Sequence, residues 1–420
     1  MEHTLKDELI NLGKNSKEAS RELKNLDSNE KNKILDEIKL AIDKNRKNIL
    51  EQNAIDVEEG KANGLNKALI DRLLLDDSRL DGMIDSIDVV KSINDPVGEV
   101  FDVNLLPNNL YVAKKRVPIG VIGMIYEARP NVTLDASILA IKSSNTIILR
   151  GGKECIKSSI AISDAIREGI KNAGYNENIV QIIEDTSRES STELMKLKGY
   201  IDLLIPRGSA RLINAVVEIA TVPVLETGTG NNHLYVDSEA DIEKALAIFE
   251  NGKAQRVGVC NALENLLIHK DISDEFYKGL NEIIKKHDLK VHADKNVIEK
   301  IDDAEEATDE DFATEYLDYE FSVKEVDDID EAIDHIYRYS TGHSEAIVTE
   351  NIVKARKFID EVDAAAVYVN ASTRFTDGGE FGYGAEIGIS TQKFHARGPV
   401  GVKELTTYKY FILGEGQIRN

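Results

Sequence analysis

Apolar residues recur at helical spacing through the first part of the chain. Between about residue 17 and residue 95 they include Ile34, Ile38, Ile42, Ile49, Leu80, Met83, Ile84 and Ile87. Side chains at such intervals share one face of an α-helix. Asp and Asn residues stand where helix caps are expected. The pattern therefore predicts a run of amphipathic helices in this region.

Further along, the pattern changes to short apolar runs that alternate with helical segments. We predict strands at 116–127, 146–151, 179–184, 201–207 and 223–228, and helices at 155–174 and 208–220. Because the strands are apolar almost throughout, both faces of their sheet must be covered, which is typical of a parallel sheet between helices. A second alternation of strands and helices follows Gly230. The chain is therefore predicted to contain two α/β units.

Some segments do not follow this alternation. Residues 101–117 are predicted to form a β-hairpin with LPNNL as its turn, and residues 401–413 are predicted to form a strand. Such β elements are stabilised more easily by pairing with another subunit than by an open sheet edge, so we expect a homo-oligomer. The acidic stretch 302–318 is predicted to be a solvated surface segment.

Composition narrows the class of protein. The 420 residues are 42% hydrophobic and 30% charged, which is ordinary for a globular protein, and no apolar run approaches the roughly 18 residues of a membrane span. The formal net charge of −23 argues against nucleic-acid binding, which needs clustered Lys and Arg to neutralise phosphates. The N-terminal sequence has neither an apolar signal core nor an Arg-rich transit pattern, so we expect a cytoplasmic protein.

The two cysteines, Cys155 and Cys260, are candidates for chemistry. They form neither a CxxC motif nor a Cys/His metal pattern, and no HExxH spacing occurs, so we expect no metal site. Cys155 opens a predicted helix, where a cysteine usually acts as a small buried hydrophobe. Cys260 stands in a glycine-punctuated loop after Lys253 and Arg256. Either both thiols are inert, or Cys260 is reactive.

Two strand ends are candidates for binding a nucleotide, although neither GxGxxG nor GxxxxGK[ST] occurs. The first carries Arg150, Gly152 and Lys153, and the second places Gly208 and Ser209 at the start of a helix. Backbone N–H groups at a helix N-terminus favour an anion such as pyrophosphate. Basic residues where an NAD enzyme tends to have an acid favour NADP. The alternative is that these glycines only form turns.

Five separate segments resemble a known family. They are YEARPNVT (126–133), LETGTGNNH (225–233), QRVGVCNALE (255–264), NASTRFTDGGEFGYGAEIGIST (370–391) and HARGPVG (395–401). The interval from Glu226 to Cys260 resembles the aldehyde dehydrogenase superfamily. Together the segments resemble its gamma-glutamyl phosphate reductase family, also called glutamate-5-semialdehyde dehydrogenases, from about residue 10 to the last residue.

This resemblance implies a fold and a division of the chain. The fold would be of the aldehyde dehydrogenase type, with a Rossmann-like cofactor domain, a second α/β catalytic domain and a small β oligomerisation element. The expected ranges are 1–103 and 118–229 for the NADP-binding domain, 230–401 for the catalytic domain, and 104–117 with 402–420 for the oligomerisation element.

The resemblance also implies an activity. Members of the family use NADPH to reduce L-glutamyl 5-phosphate to L-glutamate 5-semialdehyde with release of phosphate, the second step of proline biosynthesis from glutamate. Cys260 would be the nucleophile, since a thiolate can expel phosphate and form a thioester that a hydride then reduces. Glutamate 5-kinase would be a partner, because the acyl phosphate that it makes is unstable.

Two further residues take roles by resemblance. Asn131 would donate to the oxyanion of the tetrahedral intermediate together with the Cys260 N–H. Arg129 competes for this position, and Asn131 would alternatively cap a helix that starts near Val132. Glu226 matches the glutamate that activates water in hydrolytic relatives. Here hydrolysis would waste the activated substrate, so Glu226 is expected to lie away from Cys260 or to position substrate or cofactor.

The substrate is doubly anionic and also carries an ammonium group. The cations expected to bind its anions are Arg129, Arg374, Lys393, His395 and Arg397, with Glu380 or Glu386 near the ammonium. Two other functions stay open. One is an aldehyde dehydrogenase that works in the oxidative or CoA-acylating direction, and the other is a non-catalytic scaffold for the kinase.

Overall fold

The computed structural model describes residues 4–419, which form two compact units. Unit 1 comprises the chain up to Thr227, Gly382–Gly388 and the chain from Val400 onward. Unit 2 comprises Gly228–Phe381 and Ile389–Pro399. Within the described residues, no helix combines the length and the apolarity that a membrane span requires.

The N-terminal part of unit 1 is helical, as the apolar spacing predicts. Its helices are α1 (Leu5–Leu23), α2 (Ser28–Lys44), α3 (Arg46–Ala62), α4 (Lys67–Leu73) and α5 (Asp77–Ser92). The helical region begins earlier than residue 17 because Thr4 caps α1. The Thr4 hydroxyl accepts the Asp7 N–H while the Asp7 carboxylate accepts the Thr4 N–H, which is a capping box.

The predicted β-hairpin is confirmed and joins the C-terminal strand. Strands β1 (Val100–Leu105) and β2 (Tyr111–Pro118) are antiparallel, and β2 also pairs with the last strand, β16 (Thr406–Leu413). The register runs from Thr406 opposite Pro118 to Leu413 opposite Tyr111. The two elements therefore pair with each other in a three-stranded sheet. Their role in an oligomer stays a prediction.

A parallel sheet forms the centre of unit 1, in the order β5-β4-β3-β6. Its strands are β3 (Val121–Tyr126), β4 (Thr146–Gly151), β5 (Val180–Ile182) and β6 (Leu203–Arg207). The connecting helices are α6 (Asn131–Lys142), α7 (Ile156–Asn172), α8 (Arg188–Met195) and α9 (Ala210–Ile219). Every residue of β3 and β4 is buried, so the prediction of a sheet covered on both faces is confirmed.

Two strand predictions in unit 1 are wrong. The run 116–127 is not one strand, because Pro118 ends β2 and Gly120 adopts φ 133°, where an added β-carbon would lie 2.3 Å from Asp202 Oδ2. Residues 223–228 form only an isolated bridge beside β6, where the Leu225 N–H donates to the Leu204 carbonyl. The next bond of that ladder would need an N–H at position 206, which is a proline.

Unit 2 contains the second predicted α/β layer, a parallel sheet in the order β10-β9-β11-β8-β7-β12-β13. Its strands are β7 (Asn232–Val236), β8 (Leu263–His269), β9 (Lys290–Ala293), β10 (Glu305–Glu306), β11 (Glu320–Val326), β12 (Ser344–Val348) and β13 (Ala366–Val369). Its helices are α10 (Ile242–Ala254), α11 (Asp274–His287), α12 (Asp309–Phe312), α13 (Ile329–Tyr339) and α14 (Ile352–Glu361). The short strands β14 (Ile389–Ser390) and β15 (Gly398–Pro399) pair with each other.

The acidic stretch 302–318 is not simply a solvated segment. It contains β10 and α12, and the Phe312 side chain is buried against the His335 ring. The Phe312 carbonyl accepts a hydrogen bond from Asn231 Nδ2 at 2.8 Å. The charge pattern hides this contact because one buried aromatic residue is enough to anchor an otherwise acidic segment.

Candidate active site

The carboxyl edge of the sheet in unit 1 presents backbone amides to an anion. Ser209 caps α9, and its hydroxyl accepts the Leu212 N–H. The Ser209 N–H donates to Glu127 Oε2 at 2.8 Å, and a β-carbon on Gly208 would lie 2.5 Å from the same oxygen. A carboxylate thus occupies the α9 N-terminus, which fits an anion-binding role for Gly208 and Ser209. The sequence analysis missed Glu127, although it directly follows β3.

Arg150 lies in β4 and Lys153 follows it, and the two side chains have different surroundings. The Arg150 side chain is buried, which lowers its pKa, and it donates to the carbonyls of Gly151 and Ser187 at 3.2 and 2.8 Å. It therefore fixes the loop that precedes α8. Lys153 is exposed at the same edge, after Gly152. Of the two predicted cofactor-binding cations, Lys153 is the one whose charge faces solvent and suits a phosphate.

Cys155 is a buried thiol, as predicted. Its Sγ lies 3.5 Å from the Gly152 carbonyl, and none of its surface is exposed. Burial raises the pKa of Cys155 to about 11. Because the thiolate is the nucleophilic form, this residue is unreactive near neutral pH.

Cys260 lies in unit 2, in the loop between α10 and β8, and is half-buried. Its carbonyl accepts a hydrogen bond from Asn232 Nδ2 at 2.7 Å, and the same amide donates to Ala262. A β-carbon on Gly230 would lie 1.5 Å from the Cys260 carbonyl oxygen, so only glycine fits there. The backbone that presents the thiol is therefore held by Asn232, the first residue of β7, and by Gly230 just before that strand.

The turn at residues 373–376 holds the other side of the Cys260 loop. Asn261 Nδ2 donates to the carbonyls of Arg374 and Thr376, and the Thr373 hydroxyl donates to the Asn261 carbonyl. The Arg374 guanidinium donates to Gln255 and interacts electrostatically with Arg256 and with Cys260. Arg374 therefore brings positive charge to the nucleophile, an environment typical of reactive cysteines.

A buried ion pair joins the two elements that flank the same loop. Lys253 on α10 and Glu264 on β8 are fully buried, with Nζ and Oε2 2.7 Å apart. Burial raises the pKa of Glu264 to about 7, although Lys253 opposes this shift. No solvent reaches the pair, so each charge depends on the other for compensation. The pair fixes the spacing between α10 and β8.

The other predicted binding residues of unit 2 are placed differently from Arg374. Lys393 and Arg397 both form ion pairs with Asp363, the second with a distance of 2.7 Å. The His395 carbonyl accepts a hydrogen bond from Gln392 Nε2 at 3.0 Å. The structure thus ties the two cations to a surface carboxylate and ties Arg374 to the cysteine loop. The exposed Glu380 lies nearby in sequence, where its N–H bonds the Asp377 carboxylate.

Glu226 lies in unit 1 on the extended segment that runs beside β6. It is half-buried between the buried residues Leu225 and Thr227. The Thr227 hydroxyl donates to the Pro206 carbonyl at 2.8 Å and so fixes the backbone next to Glu226. The glutamate is therefore positioned by β6 rather than by a regular strand of its own.

Asn131 is the first residue of α6 and does not cap that helix. The N-cap is Pro130, and Asn131 Nδ2 donates to Asp135 Oδ2 at 2.9 Å, one turn along. Burial raises the pKa of Asp135 to about 6, opposed by the Asn131 hydrogen bond and by the charge of Arg207. The Asn131 amide is thus held against a carboxylate that the sequence analysis missed.

Two cavities of unit 1 meet at this Asn131–Asp135 pair. The first cavity, of about 370 Å³, is lined by Arg72, Leu74, Leu75, Arg79, Gly82, Met83, Ser86, Asn131 and Asp135. The second cavity, of about 60 Å³, is lined by Met124, Arg129, Asn131, Val132, Asp135, Ala136, Arg207, Glu386 and Ile387. Arg129 and Arg207 therefore share a cavity, and the predicted residues Asn131, Arg129 and Glu386 come together in unit 1.

Comparison with known proteins identifies the family. The model of the aldehyde dehydrogenase family matches residues 6–298 and 321–409. A protein named gamma-glutamyl phosphate reductase from Clostridium acetobutylicum is 52% identical over 415 residues, 99% of each chain. The crystal structure of gamma-glutamyl phosphate reductase from Thermotoga maritima superimposes with a TM-score of 0.96 at 51% identity and covers 99% of this chain and 100% of its own.

A more distant structure shows how widely the fold is shared. An acetylating aldehyde dehydrogenase from Geobacillus thermoglucosidasius is 16% identical with a TM-score of 0.72, and covers 99% of this chain and 98% of its own. The chain belongs to the aldehyde dehydrogenase family and, within it, to the family of the gamma-glutamyl phosphate reductases. It is an oxidoreductase that uses a nicotinamide cofactor, and the resemblance and the α/β fold expected from the sequence are confirmed.

Proposed function

We propose that this protein reduces L-glutamyl 5-phosphate to L-glutamate 5-semialdehyde with NADPH and releases phosphate, as the second step of proline biosynthesis from glutamate. The observation that carries this proposal is the nearly full-length relationship to gamma-glutamyl phosphate reductases at 52% identity. The loop around Cys260 supports it, because Asn232, Gly230 and Asn261 hold the backbone while Arg374 brings a cation to the half-buried thiol.

Cys260 is the proposed nucleophile. Its thiolate attacks the acyl carbon, the carbon–sulfur bond forms, and the bond to the phosphate oxygen breaks so that phosphate leaves with the electron pair. When bound, NADPH supplies the hydride that reduces the resulting thioester. Release of the aldehyde returns the thiolate. Cys155 has no part in this sequence, because burial keeps its thiol protonated.

The groups around the reacting acyl unit take the remaining roles. We assign Asn131 as a donor to the oxyanion, together with the Cys260 N–H. Glu226 is assigned to positioning of substrate or cofactor, because activation of water would hydrolyse the thioester and return glutamate. Arg129, Arg374, Lys393, His395 and Arg397 stay candidates for the substrate's anions. Of these, Arg374 has the strongest support, since it interacts electrostatically with Cys260.

The proposed cofactor site uses the edge of the sheet in unit 1. Gly208 and Ser209 would hold the pyrophosphate, because the N–H of Ser209 already bonds an anionic oxygen. Gly152 lets the chain approach closely, and the exposed Lys153 would bind a 2′-phosphate, which favours NADP over NAD. Arg150 would act through the loop that it fixes, since its guanidinium bonds two backbone carbonyls.

The proposal also covers assembly. Residues 104–117 and 402–420 are the proposed oligomerisation element of a cytoplasmic homo-oligomer that receives its acyl phosphate from glutamate 5-kinase. Exposed apolar residues on the three-stranded sheet of β1, β2 and β16 support its role in oligomerisation. They include Leu105, Tyr410, Ile412 and Leu413. The remaining ranges, 1–103 with 118–229 and 230–401, are the proposed NADP-binding and catalytic domains.

The deciding experiment follows NADP reduction by absorbance with glutamate 5-semialdehyde, with and without inorganic phosphate. We expect activity that requires phosphate, and a fall of at least roughly 1,000-fold in kcat/KM for Cys260→Ala. Activity without phosphate would replace the proposal by a hydrolytic aldehyde dehydrogenase with Glu226 as its base. Activity that survives in Cys260→Ala would contradict the assignment of Cys260 as the nucleophile. No NADP reduction, with or without phosphate, would favour a non-catalytic scaffold for the kinase.

A further inference from the structure

The first cavity combines opposite charges on the elements that line it. Arg72 comes from α4 and Arg79 from α5, while Asp135 comes from α6. Its volume of about 370 Å³ lies within the usual range for small-molecule sites, roughly 300–1,000 Å³. Two guanidinium groups and one carboxylate are an unusual lining for a purely structural void, since empty cavities are typically apolar. The lining therefore fits a ligand that carries both charges.

The geometry points to the first cavity as the site that binds the amino-acid end of the substrate. Asp135 binds the α-ammonium group, and Arg72 and Arg79 bind the α-carboxylate. This assignment rests on the proposed function, because it takes the glutamyl group as the ligand. It makes these three residues the determinants that separate glutamate 5-semialdehyde from other aldehydes.

Asp135 has a suitable position for an ammonium group and a carboxylate oxygen that is available to accept its hydrogen bond. It lies one helical turn after Asn131, so both side chains are on the same face of α6. Asn131 occupies one carboxylate oxygen, Oδ2, whereas Oδ1 receives no hydrogen bond from any described residue. The spacing also suits the ligand. In an extended glutamyl chain the acyl carbon and the α-nitrogen are roughly 5 Å apart, close to the roughly 5–6 Å between Cβ atoms at i and i+4.

Arg79 is held in place by bonds to the end of α4. Arg79 Nη1 donates to the carbonyl of Leu74 at 2.9 Å, and Nη2 to the Asp71 carboxylate at 2.5 Å. These bonds hold the planar group in place and leave N–H donors for a second carboxylate. Arg72 lies near the end of the short helix α4 and is half-buried. A guanidinium group held in this way, as that of Arg79 is, suits bidentate binding of a carboxylate.

Gly82 provides a way to fill the cavity without disturbing the fold. It lies on α5 and lines the first cavity, and a β-carbon added there meets no atom within 4 Å. A side chain at position 82 would therefore extend into the space assigned to the ligand. Replacing a helical glycine also favours the helix. Loss of substrate binding in Gly82→Leu would then not reflect unfolding.

The first test compares aldehydes that lack one charged group. Glutamate 5-semialdehyde, 5-oxopentanoate without the ammonium and 4-aminobutanal without the carboxylate are each oxidised with NADP and phosphate. In Asp135→Asn we expect kcat/KM for glutamate 5-semialdehyde to fall roughly 10- to 100-fold, and the value for 5-oxopentanoate to change little. Equal losses for both would mean that Asp135 only orients Asn131, and would overturn the ammonium assignment.

Arg72→Gln and Arg79→Gln test the carboxylate. They should lower kcat/KM for glutamate 5-semialdehyde and 5-oxopentanoate by a similar roughly 10- to 100-fold factor, and spare 4-aminobutanal. The matched control is Arg46→Gln, which removes an arginine that bonds Asp77 and Asp81 of α5 outside the cavity. Equal losses for all three aldehydes, or the same pattern in Arg46→Gln, would overturn the carboxylate assignment.

Calorimetric titration with L-glutamate separates this inference from the proposed function. We expect the parent protein to bind L-glutamate, and Asp135→Asn, Arg79→Gln and Gly82→Leu to weaken binding while Arg46→Gln does not. If the parent oxidises glutamate 5-semialdehyde only with phosphate but the variants bind glutamate normally, the inference fails and the function stands. If phosphate dependence is absent while glutamate binding depends on these residues, the function fails and the site stands.

Discussion

The loops that carry the two cysteines show how surroundings decide the chemistry of one residue type. Cys155 follows β4, is fully buried, and has a pKa raised to about 11. Cys260 precedes β8, is half-buried, and interacts with the Arg374 guanidinium. Both loops contain glycine and a nearby Lys. Sequence neighbours alone therefore do not separate the thiols, whereas burial and a guanidinium from a distant turn do.

Alkylation should separate the two thiols most sharply. At about pH 8 a thiol with the pKa of Cys155 is roughly one-thousandth ionised, so iodoacetamide should modify Cys260 and leave Cys155 intact in the folded protein. Peptide mass analysis after timed labelling measures both. In Cys260→Ala labelling should vanish, and in Cys155→Ala it should be unchanged. Modification of Cys155 in the folded Cys260→Ala protein would break the comparison.

Gly230→Ala should disable the Cys260 loop without touching the thiol. The new β-carbon would lie only 1.5 Å from the Cys260 carbonyl oxygen and clash with it, so the backbone that presents the nucleophile must move. We expect kcat to fall roughly 100-fold and the free energy of unfolding to fall by about 1–3 kcal/mol. Kinetics and urea denaturation measure these effects.

Gly252→Ala is the matched control for this substitution. Gly252 lies on α10, and a β-carbon there would be 3.4 Å from Leu263 Cβ, an ordinary contact. It should stabilise the protein by roughly 0.5–1 kcal/mol and leave kcat nearly unchanged. Equal loss of activity in both variants would mean that the loop responds to any added bulk rather than to the Gly230 contact.

Much of the fold around these loops follows from local pattern. The continuous apolar runs of β4 and β8 predict buried parallel strands, and helical spacing predicts the helices that cover them. The break at Pro118 and Gly120 was missed because the apolar run continues through it. The failure of residues 223–228 to form a strand depends on a missing N–H at Pro206, a residue of the neighbouring strand. Pairing across strands is not visible in a single segment.

Likewise, some residues of the candidate site can be predicted from the sequence, and others are brought together only by the fold. Motifs identify Cys260, Asn131 and Glu226, because their residue types and intervals resemble a family. Asp135, Arg207 and Glu127 were missed, since each is an ordinary charged residue whose role depends on what the fold places beside it. Of these three residues, only Asp135 could have been noticed in the sequence, because it is an acid one helical turn after Asn131. Lys393 and Arg397 were predicted from the sequence to bind the substrate's anions, but the fold pairs both of them with Asp363.

Lys253→Met tests the buried pair behind the Cys260 loop. Removing Lys253 leaves Glu264 buried without its counter-charge, so we expect the free energy of unfolding at neutral pH to fall by about 3–5 kcal/mol. Glu264 has a pKa of about 7 in the folded protein, above its ordinary 4.5, so the folded state holds its proton more tightly than the unfolded state. Stability should therefore fall as pH rises between these values, and further in the variant.

Denaturation of Lys253→Met on both sides of pH 7 measures this dependence. The control is the double substitution Lys253→Met with Glu264→Gln, which removes the charge that is left buried. It should regain part of the stability and lose the pH dependence that Glu264 causes. A single variant as stable as the parent at all pH values would show that the pair contributes nothing to the loop's support.

Glu127→Gln is expected to have the smallest effect, and it acts at the edge that also carries Cys155. Glu127 places a negative charge at the α9 N-terminus, where the cofactor's pyrophosphate is proposed to bind. Glutamine keeps an acceptor for the Ser209 N–H but removes the repulsion, so KM for NADPH should fall by roughly two- to fivefold. Glu154→Gln, which neutralises another acid of this edge, should leave KM unchanged. A rise in KM for Glu127→Gln would mean that the carboxylate binds the cofactor instead of competing with it, and the α9 N-terminus would lose its place as the anion site.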